Sequence, residues 1–298
     1  MKIFTVSNQK GGVGKTVISY HLAKYLAGNG EDVIYYTYIE NKEGRRQREF
    51  AFKQPLQNKR VLFIDLDPQG NSSSVLEPYQ LPIFAHDFFT GEVALPDFEE
   101  SLQVLPASEA LKSLQNATSE EFEQNIGRFS ANIQKNADKF DYCIIDTPPT
   151  ENMTVRAALF VTDYVIAPII PVQFSIDGIE TMLKLVTVLM PKFNDKIQFL
   201  GMLPSKILGS AMNVNRSPDK VKQSRMHESV LRDIVTAYPH LMLLDSKDKL
   251  VAVSERQIIE NAVTEKKAVW EMPGPEARTS TEEFFSVFSA INHRIGGF

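Results

Sequence analysis

Two lysines five residues apart frame a run of glycines near the start of the chain, Lys10-Gly11-Gly12-Val13-Gly14-Lys15-Thr16. Glycines let the backbone curl with successive N–H groups turned inward, and such a nest at the head of a helix cradles phosphate. Lys15 would add a point charge at the outer phosphates, and the Thr16 hydroxyl could ligate Mg²⁺. The general phosphate-loop pattern, G-x-x-x-x-G-K-[ST], is met only in part. Gln9 stands where the first glycine belongs, and Lys10 comes next. One triphosphate site does not need that second lysine, so Lys10 reads as serving a nucleotide held by another molecule.

Two further strings supply acids. Leu62-Phe63-Ile64-Asp65-Leu66-Asp67-Pro68-Gln69-Gly70-Asn71 is an apolar run that ends in two aspartates and a turn; Cys143-Ile144-Ile145-Asp146-Thr147-Pro148-Pro149 ends in one aspartate and a rigid turn. Taken singly, an aspartate there could close a strand or cap the next helix. Taken with the loop, the three strings supply a phosphate cradle, acids to manage metal and water, and a metal-holding acid, in that order. Phosphoryl transfer to water needs little beyond charge neutralisation, an in-line water and positioning.

These residues need a scaffold that brings strand ends together. Apolar, β-branched runs recur at Lys2 to Ser7, Val61 to Asp65, Leu102 to Leu105, Tyr142 to Asp146, Tyr164 to Ile169 and Gln198 to Leu203. Helical patterns are read at Val17 to Ala27, Glu120 to Asn136, Ile176 to Leu189, Ser224 to Tyr238 and Thr281 to His293. Continuous apolar strands alternating with helices predict an α/β fold, doubly wound, with a mostly parallel sheet flanked by helices. Ligands of such sheets lie at the carboxyl ends of the strands. No internal repeat or linker divides the 298 residues, so a single domain over 1–298 is expected. Two excursions stand out: 33–58, read as a surface insertion with strand propensity and a basic turn at Gly44 to Arg48, and 206–222, read as a long polar loop.

Composition narrows the class. Apolar residues make up 43% and charged residues 23%, no run is long enough to span a bilayer, and no leader-like segment opens the chain, so a cytoplasmic protein is expected. The lone cysteine, Cys143, lies in a buried-strand run and reads as core. A net charge of −5 argues against a dedicated nucleic-acid binder, although a basic face can exist on an acidic protein.

The strings Gln9 to Thr16, Asp65 to Asn71 and Asp146 to Pro149 resemble the deviant Walker A, Walker A′ and Walker B motifs of the ParA/MinD superfamily of P-loop NTPases, and Asp65-Leu66-Asp67-Pro68-Gln69-Gly70-Asn71 is characteristic of the ParA branch. Weaker echoes follow at Leu105 to Ser108, Ala167 to Gln173 and Val251 to Glu255. The resemblance implies a slow, partner-stimulated ATPase that forms an ATP-dependent homodimer. ATP and Mg²⁺ are its cofactors. It implies that Lys10, Gly11, Gly12, Val13, Gly14, Lys15, Thr16 and Val17 hold the nucleotide, with Lys10 reaching the partner's phosphates. Thr16, Asp65 and Asp146 serve the metal, Asp67 positions the attacking water, and Lys10 and Lys15 join Asp67 as catalytic groups. ParA proteins bind DNA without sequence preference and work with a ParB-like centromere-binding partner to move plasmids or chromosomes, which implies nucleoid association in the ATP state. Val17 stands where a second threonine is common, and no helix-turn-helix segment precedes the loop, so operator binding is not expected. The base-contact segment is only loosely echoed by Leu203-Pro204-Ser205-Lys206.

Two alternatives remain open: a MinD-like positioning ATPase acting at a membrane, and a nucleotide-dependent tethering switch without DNA binding. An iron-protein reductase is excluded, because one cysteine cannot supply paired cluster ligands. For DNA, the candidates are Lys247, Lys249, Arg256, Lys266 and Lys267, with Arg45, Arg46, Arg48, Lys53, Lys59 and Arg60 around the insertion; both sets read equally as solvated surface. The stripe Phe284, Phe285, Phe288 and Ile291 lacks the basic flank of a membrane-surface helix, so it reads as core packing, with no stable membrane association expected. His21 and Trp270 read as packing residues.

Overall fold

The six apolar runs pair side by side. A computed structural model describes residues 1–40, 46–116, 118–171, 184–208 and 218–298. Its strands are β1 (Lys2–Val6), β2 (Asp32–Glu40), β3 (Arg46–Pro55), β4 (Val61–Asp65), β5 (Leu102–Leu105), β6 (Tyr142–Asp146), β7 (Tyr164–Ile169) and β8 (Gln198–Pro204). Six of them form a parallel sheet in the order β5-β4-β6-β1-β7-β8, while β2 and β3 pair antiparallel in a sheet of their own. The principal helices are α1 (Lys15–Leu26), α2 (Asn71–Val75), α3 (Ser119–Lys135), α4 (Met153–Val161), α5 (Pro218–Ala237), α6 (Gln257–Thr264) and α7 (Pro275–Arg294).

Strand pleat explains why the runs are apolar throughout. Phe4, Val6, Phe63 and Ile144 enter one core cluster with residues of α1, α6 and α7, whereas Ile3, Leu62, Ile64, Cys143 and Ile145 enter another with residues of α3 and α4. Both faces are covered, so alternate residues are buried on opposite sides and none can be polar without a partner. Burial pushes the Cys143 thiol up, as suits a core residue.

The register sets the site. Asp65 of β4 and Val6 of β1 both stand opposite Asp146 of the central β6. The carboxyl ends of three neighbouring strands therefore deliver the glycine loop and both acidic turns at one level.

The 33–58 excursion contains the β2–β3 hairpin, fastened to the α1 and α7 face. Phe52 meets Phe285 at a ring separation of 5.5 Å, and the Tyr35 hydroxyl donates to the Trp270 carbonyl at 3.2 Å. The expected basic turn falls partly on 41–45, outside the described residues. On α7, Phe284, Phe285, Phe288 and Ile291 are all buried, packed against rings of α1. His21 stacks on Phe284 at 4.2 Å and Tyr25 on Phe288 at 4.5 Å. Among the described residues no helix is long and apolar enough to cross a membrane.

Three readings need correction. Residues 218–222 belong to α5, not to the 206–222 loop: Pro218 opens the helix, where its missing N–H costs nothing. The helix after the glycine loop begins at Lys15, two residues before Val17. Of the helix expected at Ile176 to Leu189, 172–183 lie outside the described residues, while Leu185–Leu189 winds as a π-helical turn.

Candidate nucleotide site

Gly12 and Gly14 adopt left-handed backbone, with φ of 74° and 91°, and Gly14 caps α1. An L side chain would be strained at either position. The loop is also held from outside. The Ser205 hydroxyl donates to the Val13 carbonyl, and the Asn8 side chain donates to the Pro168 carbonyl while accepting from the Lys10 N–H at 2.9 Å. Lys15 is buried, with its ammonium donating to the carbonyls of Asn8 and Lys10, each at 3.1 Å. Burial lowers its pKa, and the opposing pull of Asp146 and Asp67 limits that effect. Lys10 is exposed on the rim.

Asp146 is the hub of the acid end. Its Oδ2 accepts from the hydroxyls of Thr16, at 3.0 Å, and Ser72, and its Oδ1 accepts from Ser19 at 3.3 Å. Asp65, only one strand away, is committed to the turn that follows it. Its Oδ2 accepts from the Ser73 N–H and hydroxyl at 2.8 and 2.7 Å, and its Oδ1 from the Asp67 N–H at 3.1 Å. The same Ser73 hydroxyl accepts the Ala107 N–H at 2.8 Å, tying in the turn after β5. Asp65 thus shapes the loop that presents Asp67, whose Oδ1 accepts from the Gln69 N–H at 3.0 Å. Gly70, at φ 66°, starts α2 and so brings Ser72 and Ser73 to the two acids.

Both buried carboxyls lie above the ordinary aspartate range. Burial first, and then the charge of Asp146, push Asp65 up to about 7; burial likewise raises Asp146, against the pull of Ser72, Thr16 and Lys15. A cation beside them would offset that cost. The donor set suits one kind of ion. Among the described residues no group of three or more His, Cys, Asp or Glu side chains could form a metal cage, whereas a hydroxyl and one carboxylate match Mg²⁺, which keeps waters and phosphate oxygens as its other ligands.

Beside Gly14 and Val17 lies an apolar pocket lined by Ile18, Ser205, Val253 and Ile259 with Lys206 and Arg256. Its outer wall is braced by Glu283 of α7, which accepts from the Ser254 N–H and hydroxyl at 2.9 and 2.8 Å and pairs with Arg256 at 2.7 Å.

The structure gathers Gly11 to Val17, Asp65, Asp67 and Asp146 as the strings suggested. Ser19, Ser72, Ser73 and Ser205 were missed, because serine carries no signal until the fold supplies its neighbour. The basic residues proposed for DNA do not converge in the same way. Arg256 is committed to Glu283, Lys266 pairs with Glu77, Lys267 with Glu265, Lys53 with Asp32, and Arg60 with Asp141. Lys247 and Lys249 are exposed, on a turn organised by the Asp245 carboxylate. Arg45 lies outside the described residues, and of Arg46 and Arg48 only the backbone is described.

With this geometry in hand, known proteins supply a frame. A family model described as AAA domain matches residues 49–199, about half the chain, and one described as CobQ/CobB/MinD/ParA nucleotide binding domain matches residues 4–36. Protein IncC of Escherichia coli is 31% identical over 292 residues, covering 95% of this chain and 67% of that protein. The chromosome partitioning protein ParA of Myxococcus xanthus is 27% identical over 213 residues, 68% of this chain and 64% of that one. The chain thus spans about two thirds of the length of these relatives. In fold, it is similar to an ATP complex of a substituted McdA from Cyanothece, with a TM-score of 0.68 at 18% identity, covering 98% of this chain and 96% of that one.

Proposed function

The chain belongs to the ParA/MinD family of partition ATPases, and we propose that it hydrolyses ATP with Mg²⁺, dimerises around the nucleotide, and in that state holds DNA without sequence preference for a ParB-like partner to release. The observation that carries this reading is the convergence on Asp146 of the Thr16 hydroxyl from the glycine loop and the Ser72 hydroxyl from the Asp65–Asp67 turn. One carboxylate links the phosphate cradle to the loop that aims Asp67. That coupling is what a hydrolytic switch needs, because a change at the γ-phosphate and its metal is felt by the water-positioning acid.

In this reading the loop N–H groups and Lys15 bind the phosphates, and Thr16 and Asp146 would hold Mg²⁺ or its waters, an ion that would supply charge neutralisation for the transferring phosphoryl group. Asp67 orients the attacking water, and Asp65 holds Asp67 in place from beneath. The pocket of Ile18, Ser205, Val253 and Ile259 accommodates the base. Lys10, exposed at the rim, reaches the partner's phosphates. Burial of the α7 aromatic stripe supports DNA over a membrane as the surface on which the dimer acts.

The test measures retention on DNA and sedimentation with anionic liposomes, side by side, with ATP, with ADP and without nucleotide, for wild type and Lys10→Ala. DNA retention with ATP alone, lost in Lys10→Ala, is expected. ATP-dependent liposome binding without DNA retention would sink the partition reading.

A further inference from the structure

A second concave site lies at the opposite end of α1 from the phosphate loop. It encloses about 560 Å³ between the last turn of α1, the start of β2 and the segment leading into β5, with Tyr79, Trp270 and Glu271 closing one end. It shares no lining residue with the phosphate loop, so a guest in this cleft is independent of the nucleotide reading.

The charge of this cleft is one-sided. Glu31, Asp32, Glu99, Glu100 and Glu271 line it, with Lys24 as the basic residue of the lining. Lys53, from outside the lining, pairs with Asp32 at 2.8 Å. Carboxylates gathered between low-dielectric walls concentrate a negative field, and that field favours a cationic guest. The cleft already shows how it holds one. The Lys24 ammonium lies 3.2 Å from the Tyr79 hydroxyl, 3.6 Å from Glu271 and 5.4 Å from the centre of the Tyr79 ring, so a carboxylate and an aromatic face grip it together.

The walls add a shape. Among the described residues β2 pairs only with β3, so it keeps one unpaired edge, and its Asp32, Val33 and Ile34 line the cleft, whereas the outer side of β5 is already bridged, Gln80 to Val104. Ile34, 42% exposed, and Trp270 offer apolar contact along it.

We infer that this cleft receives an extended segment of a partner polypeptide in which lysine or arginine alternates with apolar residues. The cationic side chains meet Glu31, Glu99 and Glu100, and the apolar ones lie against Ile34 and Trp270. Alternation follows from strand geometry, which sends successive side chains to opposite sides, and unpaired strand edges are where extended peptides add.

The chain's single tryptophan lines the cleft, so its emission reports occupancy there and not at the nucleotide site. A labelled peptide alternating lysine and valine is titrated onto the whole protein, with anisotropy and Trp270 emission followed together. A glutamate–valine peptide and spermidine serve as the other arms. Saturable binding of the basic peptide with a matching change in Trp270 emission is expected. Glu99→Lys with Glu100→Lys should weaken it about tenfold or more, and Glu99→Gln with Glu100→Gln by a smaller factor of about threefold, which keeps the test open if the reversal fails to fold. Basal ATP turnover in the same samples should not change. The inference is overturned if wild type gives no saturable change at Trp270, if both double variants bind as wild type does, or if spermidine displaces the peptide at equal charge concentration, which would mark a site for free polyamines.

Discussion

The two ends of α1 obey opposite rules. At its start Lys15, Thr16 and Ser19 face buried carboxylates whose pKa values are displaced by burial, whereas its later turns place His21 and Tyr25 among Phe284, Phe285 and Phe288. Gathering ionisable groups away from water costs stability, and a fold keeps them where chemistry repays the cost. Packing rings against one another returns stability and does no chemistry. The difference predicts that substitutions at the first end change nucleotide behaviour with the fold retained, and that substitutions at the second change the fold's stability and leave nucleotide affinity intact in the folded molecules.

The largest effects should fall on the two lysines, and they should differ in kind. Lys15→Ala is expected to lose nucleotide binding itself, measured with a fluorescent ATP analogue, while its circular dichroism stays that of the wild type. Lys10→Ala should bind ATP as a monomer but fail to form the ATP dimer by size exclusion with light scattering, and a trans-acting cation of this type is worth about 10³-fold or more in turnover. Equal nucleotide affinity in Lys15→Ala and wild type would break the contrast at its strongest point.

Asp67→Ala comes next. Turnover should fall by about 10²- to 10⁴-fold, the range for a group that manages a proton or water at the reacting centre. ATP affinity should hold, and the ATP dimer should live longer. Loss of ATP affinity instead would assign Asp67 to phosphate or metal binding.

At the other end of α1, Phe288→Ala removes a fully buried ring that stacks on Tyr25. The expected cost is about 3–5 kcal/mol in urea unfolding. ATP affinity below the transition should match wild type; a parallel fall in affinity would mean that the aromatic face and the phosphate loop are coupled through α1.

The same contrast explains what the sequence could and could not tell. The β-strands of the main sheet were legible because burial on both faces forces apolar residues into unbroken runs, as in Val61 to Asp65 and Tyr142 to Asp146. Lys15, Thr16 and Asp146 were legible because phosphate and metal chemistry restricts residue type and spacing. Helix α4 was not read, because Met153-Thr154-Val155-Arg156-Ala157-Ala158-Leu159 is apolar on nearly every side and shows no helical period. Ser72 and Ser205 were silent for another reason: Asp146 and the Val13 carbonyl, which they satisfy, lie 74 and 192 residues away. The pairing of Arg256 with Glu283 and of Lys266 with Glu77 was equally hidden, and charge counts along the chain overstated the basic surface.

The smallest effect concerns His21, which the aromatic end holds neutral. Its Nδ1 lies 2.8 Å from the Val17 carbonyl, and its Nε2 is 3.2 Å from the Val269 N–H. Nδ1 therefore carries the proton and Nε2 accepts. Burial lowers the ring's pKa from 6.5 to about 4. In the folded state the ring stays unprotonated at pH values where the unfolded chain has taken up a proton, so the unfolded state binds more protons and stability is lost as pH falls through that window. The contribution is fully present above pH 6.5, declines as pH falls toward about 4, and amounts to about 3 kcal/mol, from roughly 1.4 kcal/mol per unit of pKa difference. Buried carboxylates have their own pH dependence, so the measurement is a difference. Urea unfolding of wild type and His21→Gln is compared from pH 7.5 to pH 4, the glutamine amide being able to serve the same carbonyl and N–H. Glutamine lacks the ring that stacks on Phe284, so the variant should be the less stable of the two at pH 7.5, by about 1–3 kcal/mol. It cannot be protonated, so the gap should close as the solution is acidified toward pH 4. Two unfolding free-energy curves that stay parallel across the range would show that His21 is charged, or solvated, inside the ring cluster, and the division between the two ends of α1 would then fail at its most buried residue.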